Sequence, residues 1–466
     1  MLVSCHGRFR LALWQSDVNR NRSGSNYREI FRVAIPVSLE AVFQSSFSFI
    51  DQIIVGILGA VAVAAVGLSN SLSFILTLLY SAVGTGSGVF IAQAYGRGNM
   101  DEVSEITALG QTAAAILGVC TALPLILFPS TILRLVGAQE EVVAIAAGYL
   151  RLFAAAAPMT VMSAVTTATF RSMSDSRTPM AITMSAVALN TLLAFVLVLG
   201  FGPFPKLGVI GAGVATLISQ ALRCVALLVV LYSRKEGVRW YWPFGSRFQR
   251  IGRPLLRITY PIALSEMLWG TSTFVYTIVF TRIGTAALAS SQIVTTVENI
   301  FIVAATGLAP AAVATVGQAL GMGSLQNAKK EASLVLRAGV LAGIVFTIAL
   351  IAASFLLPII YPKVSGDVLS LTFWGLIIMA CVQPAKVLNS VIGTGILPTG
   401  GDTKFVLFSH VISSYALGLP VAWICGIVAR LGAWTVFGSR ALEEVVKAVI
   451  LVLRYRNSSW HRKLET

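Results

Sequence analysis

Long apolar stretches follow one another along almost the whole chain, and they constrain the fold more than any other feature. Several exceed the roughly 20 residues that a helix needs to cross a bilayer. Only 11% of the 466 residues are charged, against roughly 25% in soluble proteins. The sequence therefore predicts an all-α integral membrane protein with little soluble domain. Hydropathy marks twelve transmembrane helices: 30–55, 61–92, 103–128, 141–170, 179–201, 208–233, 256–281, 286–318, 329–358, 366–394, 403–428 and 432–453.

Basic residues are concentrated in alternate connections between these spans. Five arginines precede the first span, and six Lys or Arg residues follow the sixth, whereas the intervening connections carry few. The positive-inside rule then places both termini in the cytoplasm and the chain in the cytoplasmic (inner) membrane. The net charge of +15 therefore indicates orientation, and we expect no nucleic-acid partner because no folded basic domain is present.

A repeat divides the spans into two halves of six. Gln93-Ala-Tyr-Gly recurs as Gln318-Ala-Leu-Gly in the second half of the chain. Pro36 recurs at the same spacing as Pro261, so each half has a proline that can kink its first helix. Because six is an even number, the two halves enter the membrane from the same side, as in many transporters that work by alternating access. We predict a disordered cytoplasmic arm (1–28), an N lobe (29–233), a basic linker (234–255), a C lobe (256–456) and a cytoplasmic tail (457–466).

One face of the first span carries polar groups at membrane depth. Glu40, Gln44, Ser48 and Asp51 lie within a sector of about 80° at 100° per residue. An ionisable group in a span is costly unless it faces a cavity or a partner, so this face is predicted to line a substrate cavity. A proton or sodium ion at Asp51 would neutralise it and could bias bending at Pro36. For Glu40 an interfacial position is the alternative.

Further candidates lie in four other spans. Glu266, Glu298 and Asn299 are candidate cavity groups in the second half, and partnership with a buried base is the alternative for the two acids. Asn190 and Thr216 offer the oxygen ligands that a sodium ion uses, so with Asp51 they form the predicted ion-coupling site. Polar groups of this kind also form hydrogen bonds between helices.

Catalytic and cofactor motifs are missing from the sequence. The five cysteines and three histidines are scattered, which argues against a disulfide framework or a metal cluster, and no phosphate-binding loop occurs. We therefore expect no enzyme and no cofactor, with a coupling ion as the energy source and no metal beyond a sodium ion at Asp51. Small molecules and membrane lipids are the expected partners of a monomer.

Several sequence motifs follow one another in a fixed order along most of the chain. Asp51 follows Pro36 by fifteen residues, and the motifs after it are Val55-Gly-Ile-Leu-Gly59, Gln93-Ala-Tyr-Gly96, Phe170-Arg-Ser-Met-Ser-Asp175-Ser-Arg-Thr-Pro179 and Gly208-Val-Ile-Gly-Ala-Gly-Val-Ala-Thr216-Leu-Ile-Ser-Gln220. Over residues 28–456 this set resembles the prokaryotic MATE (multidrug and toxic compound extrusion) family. The resemblance implies a V-shaped antiporter of two six-helix lobes, which exports organic, often cationic, compounds in exchange for sodium or protons.

The resemblance also bears on single residues. It makes Asp51 the first-helix acid and Asn190 an amide of the fifth helix. Ala194, Trp269 and Lys386 stand at positions where particular branches of the family have acids. Asp51 is therefore the main residue at which the resemblance predicts the coupling chemistry.

A flippase for lipid-linked saccharides, from the wider superfamily, is the alternative function. Flippases of that kind tend to have a strongly basic central cavity, whereas the candidate cavity here carries acids. A membrane enzyme would need clustered catalytic groups, and a scaffold would not need an acidic stripe. We therefore expect a secondary-active multidrug efflux antiporter.

Overall fold

The predicted spans correspond to twelve helical segments in a computed structural model of the protein. It describes residues 27–201, 203–234, 237–241, 246–457 and 460, without the side chains of 234 and 246–249. Within these residues the chain is helical and contains no strand. Most of the predicted arm (1–28) and tail (457–466) lies outside them, whereas most of the predicted linker (234–255) lies within them.

Six helices form each half. The N lobe comprises α1 (Tyr27–Gly56), α2 (Ala60–Gly96), α3 (Met100–Leu127), α4 (Glu140–Ser172), α5 (Arg177–Leu199) and α6 (Val209–Arg234), with a short helix (Pro129–Leu135) between α3 and α4. The C lobe comprises α7 (Ser246–Ile283), α8 (Thr285–Ala305 and Leu308–Gly321), α9 (Leu325–Ile360), α10 (Gly366–Cys381 and Gln383–Thr399), α11 (Thr403–Val428) and α12 (Ala433–Arg456). The side on which α1 begins and α12 ends is called the near face.

Ten of the described helices are each long and apolar enough to cross a membrane. The two parts of α10 meet at 51° and together make an eleventh such segment. The helix α12 has 24 residues but is less apolar, because it contains charged residues between its ends. It packs against α7, α10 and α11, so that it completes the C-terminal bundle.

The repeat is visible in the backbone as well as in the sequence. Gly98 and Gly323, which are related by the spacing of the sequence repeat, end α2 and α8 with nearly identical positive φ angles of 74° and 75°. The residues that follow them, Asn99 and Ser324, cap α3 and α9 by accepting a hydrogen bond from a backbone N–H three residues later. Because both turns and caps recur at the same spacing, the two lobes are pseudo-symmetric copies of one six-helix unit.

Helix packing inside each lobe also repeats. A Cβ atom on Gly118 of α3 would lie 2.4 Å from the Pro158 Cα atom of α4, and one on Gly343 of α9 would lie 2.5 Å from the Pro384 Cα atom of α10. Only a residue without a side chain permits such close approach. The equivalent helices therefore cross at equivalent points.

The lobes meet through α1 and α2 on one side and α7 and α8 on the other. At the near face, the Gln93 side chain donates a hydrogen bond to the Thr399 carbonyl at 2.7 Å, and the Gln318 side chain donates to the Ser172 carbonyl at 2.8 Å. Gln318 also donates to the Ser174 hydroxyl at 2.9 Å. These two glutamines are called the glutamine pair. Hydrogen bonds from Arg250 to Glu105 and from the Gly307 backbone N–H to Ser38 also join the lobes in the near half of the bundle.

The C lobe differs from the N lobe in helix geometry. Three π-helical segments interrupt it, Val391–Ile396 in α10 and Val411–Gly418 and Ile424–Val428 in α11. The described helices of the N lobe contain none. Segments of this type are frequent at functional sites.

Candidate ion and substrate sites

Asp51 is held between two neutral donors of a neighbouring helix. It lies in the last two turns of α1, which packs along α5. Its Oδ2 atom accepts a hydrogen bond from the Asn190 side-chain amide at 3.0 Å, and its Oδ1 atom accepts one from the Thr191 hydroxyl at 2.7 Å. The structure thus brings together two of the three residues predicted for the ion-coupling site.

The charge of this carboxylate has no basic partner. In the described part of the chain, no Lys, Arg or His forms an ion pair with Asp51. The Oδ1 atom of Asn190 is buried and has no hydrogen-bond partner. Carboxylate, amide and hydroxyl oxygens are the ligands that hard cations prefer, and a carboxylate can equally accept a proton. The residues present therefore fit either coupling ion.

The third residue predicted for this site contacts its own helix. The Thr216 hydroxyl donates to the Ala212 carbonyl at 3.0 Å, one turn earlier in α6. Thr191, which sequence reasoning missed, takes the place that Thr216 was expected to fill. Its signal in the sequence was its position directly after Asn190.

Glu40 is the centre of a buried ion cluster. Its side chain is 3% exposed, and its Oε2 atom lies 2.8 Å from an Arg171 Nη2 atom. An Arg223 Nη2 atom lies 3.9 Å from the Oε1 atom of Glu40, and Gln44 donates to that oxygen at 3.5 Å. The next residue of the polar stripe, Ser48, is exposed and donates to the Gln44 carbonyl. Glu40 thus has charged partners, whereas Asp51 has none.

Glu298 has a charged partner of its own. The Lys386 ammonium and the Gln383 amide both donate to its Oε1 atom, the latter at 2.7 Å. Its side chain is 2% exposed, so this is a buried pair between α8 and α10. Asn299, which follows it, is exposed, and Glu266 is half-buried.

A polar cluster on α12 was missed by the sequence analysis. Glu443 accepts hydrogen bonds from the Tyr276 hydroxyl at 2.6 Å and from the Ser414 hydroxyl. Glu444 accepts from the Asn389 amide at 2.7 Å. Both acids lie inside the predicted last span, so the rule applied to Asp51 would have found them. A small open pocket adjoins this cluster and is lined by Trp269, Ser272, Thr273, Tyr276, Met379, Arg440, Glu443 and Glu444.

Comparison with known proteins places this arrangement in a family. The MatE family model matches residues 36–196 and 261–424, once in each lobe. Among the relatives, the probable multidrug resistance protein YoeA of Bacillus subtilis is 26% identical over 94% of this chain and 95% of its own. The probable multidrug resistance protein NorM of Bradyrhizobium diazoefficiens is 27% identical over 95% of this chain and 96% of its own.

Solved structures agree on the fold. A crystal structure of a MATE protein in the bent conformation superposes with a TM-score of 0.85 at 21% identity, over 94% of this chain and 96% of that one. The predicted all-α, V-shaped fold of two parallel pseudo-symmetric six-helix lobes is thereby confirmed, as is the prediction that the chain is a transporter and no enzyme. The chain is a multi-pass membrane protein that belongs to the MATE family of multidrug efflux transporters.

Proposed function

We propose that this transporter is a secondary-active antiporter, which exports organic, mainly cationic, compounds in exchange for sodium or protons bound at Asp51. The observation that carries the proposal is the environment of this carboxylate, which has neutral donors from Asn190 and Thr191 and no base. An unpaired charge at membrane depth is costly. Binding a cation or a proton removes that cost. The free energy of the conformation of α1 therefore depends on whether the site is occupied.

The structure suggests how such occupancy could reach the rest of the molecule. The first helix carries Asp51 near its far end and Pro36 in its near half, where the lobes are joined. A helix that lacks one backbone hydrogen bond at a proline bends more easily. We propose that neutralisation of Asp51 changes the bend of α1, and that this change opens or closes the contact between the lobes.

Organic cations are the proposed substrates because aromatic rings and carboxylates attract them. The pocket in the C lobe combines Trp269 and Tyr276 with two glutamates and one base, Arg440. Two arginines of the N lobe, Arg171 and Arg223, both pair with Glu40. Because their charges are paired, they do not form the strongly basic cavity expected of a saccharide flippase. We therefore propose efflux and not the flippase function.

Orientation is part of the same proposal. The basic connections favour both termini in the cytoplasm, which makes the near face cytoplasmic and the described conformation closed on that side. Membrane lipids surround the proposed monomer. Cysteine substitution at Lys206 and Arg239 tests the orientation, because impermeant labels should reach these two positions from opposite sides of the membrane; labelling from the same side would contradict it.

The main experiment is transport by the purified protein in liposomes under separately imposed sodium and proton gradients. We expect Asp51→Asn to abolish gradient-driven efflux. Thr191→Val should reduce it roughly tenfold, since a hydrogen bond to a charged group contributes about 1.5–3 kcal/mol. Thr216→Val is the matched control and should transport like the wild type. Wild-type transport by Asp51→Asn under both gradients would refute the proposed role of Asp51.

A further inference from the structure

Tyr276 is the counterpart of Asp51 in the second lobe. It follows Asp51 at the spacing of the repeat, which also relates Pro36 to Pro261 and Gly59 to Gly284 on either side of it. The first helix of the C lobe thus has no acid where the N lobe has one. The Tyr276 hydroxyl nevertheless contacts a carboxylate, because it donates to Glu443 of α12 at 2.6 Å. An acid from another helix therefore lies beside the residue that stands in place of Asp51.

Glu443, like Asp51, is held only by neutral donors. Its two oxygens accept hydrogen bonds from Tyr276 and Ser414, and in the described residues no base forms an ion pair with it. Its side chain is buried, with 7% of the residue surface exposed. The other buried acids at this depth, Glu40 and Glu298, both have Lys or Arg partners.

The bases around Glu443 are engaged by other groups. On α10, Lys386 pairs with Glu298 of α8. On α12, Lys447 is close enough to Glu443 for their charges to interact, but its ammonium group contacts a ring nitrogen of His410 from α11 at 2.8 Å. Arg440, one turn before Glu443, lies over the Tyr276 ring with its guanidinium carbon 5.7 Å from the ring centroid.

The remaining charged groups near this site are acids. Glu444 is the next residue on α12 and is bound by Asn389 of α10. Glu266 of α7 is close enough to Lys447 for their charges to interact. These acids supply no positive charge to pair with Glu443. Like charges instead disfavour the ionised form of a neighbouring carboxylate.

The partners of Glu443 suit both of its charge states. A hydroxyl can donate to a carboxylate and can also accept from a protonated carboxyl group, whereas an ammonium or guanidinium group can only donate. Space for this contact comes from Gly418 of α11, where an added Cβ would lie 2.5 Å from the Tyr276 hydroxyl oxygen and 2.7 Å from Glu443 Oε2. Glu443 and Tyr276 also line the small pocket of the C lobe.

We propose that Glu443 is a second proton-binding site of the transporter, which takes up one proton from the pocket as its carboxylate becomes a neutral carboxyl group and releases it in the reverse step. The proposal builds on the antiport function and assigns to the C lobe a proton site that complements Asp51 in the N lobe. Tyr276 is its positioning residue, because it orients the carboxylate without exchanging the transported proton.

Infrared difference spectroscopy of the full chain in lipid nanodiscs, titrated with pH in the absence of drug, tests the proposal. The signal is the carbonyl stretch of protonated carboxyl groups. We expect Glu443→Gln to lose one pH-dependent band that Glu444→Gln, the matched control, retains. Tyr276→Phe should keep the band but move it to higher frequency, because the carboxyl group loses a hydrogen-bond partner.

A transport measurement accompanies the spectra. In liposomes, Glu443→Gln should lower the number of protons exchanged per drug molecule by one, while Glu141→Gln, which changes an exposed acid in the first turn of α4, leaves it unchanged. If Glu443→Gln keeps every carboxyl band of the wild type, the proposal is wrong. Should that variant fail to fold, a spectrum of Tyr276→Phe identical to the wild type overturns it instead. Failure of Asp51→Asn to impair antiport would refute the proposed function alone, because the Glu443 band is recorded without transport.

Discussion

At the near face the two lobes are nearly equivalent, whereas in their interiors they differ. The glutamine pair makes the same contact twice, Gln93 with the Thr399 carbonyl and Gln318 with the Ser172 carbonyl. Deeper in the membrane, the N lobe presents Asp51 from its first helix, and the C lobe presents Tyr276 from the equivalent helix with Glu443 from its last. The repeat has therefore been kept at the interface and lost at the buried acids.

The symmetry of the interface explains this difference. In a contact related by a two-fold axis, residue i of one unit contacts residue j of the other and the reverse also holds. The two contacts of the glutamine pair lie on one continuous interface. A substitution in one contact must therefore be compatible with the other. Buried acids contact only their own lobe, so their partners could change independently in each half.

The largest effect is expected for the buried pair of Glu298 and Lys386. Lys386→Met leaves a buried carboxylate without a partner and should lower the free energy of unfolding by about 3–5 kcal/mol. Adding Glu298→Gln should recover most of this loss. Chemical denaturation in detergent measures both. Asp51→Asn is the comparison, since it removes an unpaired charge and should leave stability nearly unchanged; equal losses in Lys386→Met and Asp51→Asn would remove the distinction between paired and unpaired acids.

A smaller effect is expected where the backbones of the two lobes approach each other. A Cβ atom on Gly321 would lie 2.0 Å from the Gln93 carbonyl oxygen, and one on Gly96 would lie 2.2 Å from the Gln318 carbonyl oxygen. Overpacking typically costs about 1–3 kcal/mol, so Gly321→Ala and Gly96→Ala should each populate a state with the near face open. Distances between spin labels across this face measure the shift.

Gly67→Ala is the control for these substitutions, because a Cβ atom there meets nothing within 4 Å. It should leave the label distances unchanged. The pseudo-symmetry predicts similar shifts for Gly96 and Gly321. A shift in only one of them would show that the two contacts are not energetically equivalent.

The smallest effect is expected for the glutamine pair itself. Gln93→Ala or Gln318→Ala removes a buried donor from a carbonyl group, which costs about 1–3 kcal/mol when the acceptor stays buried. Opening of the near face exposes that carbonyl, so each variant should favour the open state modestly. The same label distances record it. A double variant whose shift exceeds the sum of the single shifts would show that the two hydrogen bonds act together.

The sequence allowed the helices to be predicted closely because polar connections interrupt the apolar runs. The eighth span was predicted at 286–318 and comprises Thr285–Ala305 and Leu308–Gly321. The bend of α10 was not predicted, although Gln383, Pro384 and Lys386 interrupt its apolar run at that point. The repeat at Gln93 and Gln318 pointed correctly to two equivalent lobes.

Side-chain partners were harder to predict than helices. Glu40 and Arg171 are 131 residues apart, and their contact depends on how α1 and α4 are rotated about their axes, which hydropathy does not determine. Asp51 and Asn190 were grouped because both offer oxygen ligands for a cation, but the choice between Thr191 and Thr216 required the packing of α5 on α1. Glu443 could have been identified without packing information, by applying to the charged residues of the last span the rule that was applied to Asp51.

The π-helical segment of α10 preserves the register of the near face. The stretch from Pro384 to Thr399 in α10 is longer by a single residue than its counterpart from Pro158 to Ser172 in α4. In an ordinary helix one inserted residue would rotate everything beyond it by about 100°. The wider turn at Val391–Ile396 absorbs that residue, so that the Thr399 carbonyl still faces Gln93. An insertion in one copy of the duplicated unit was thus tolerated without loss of the contact between the copies.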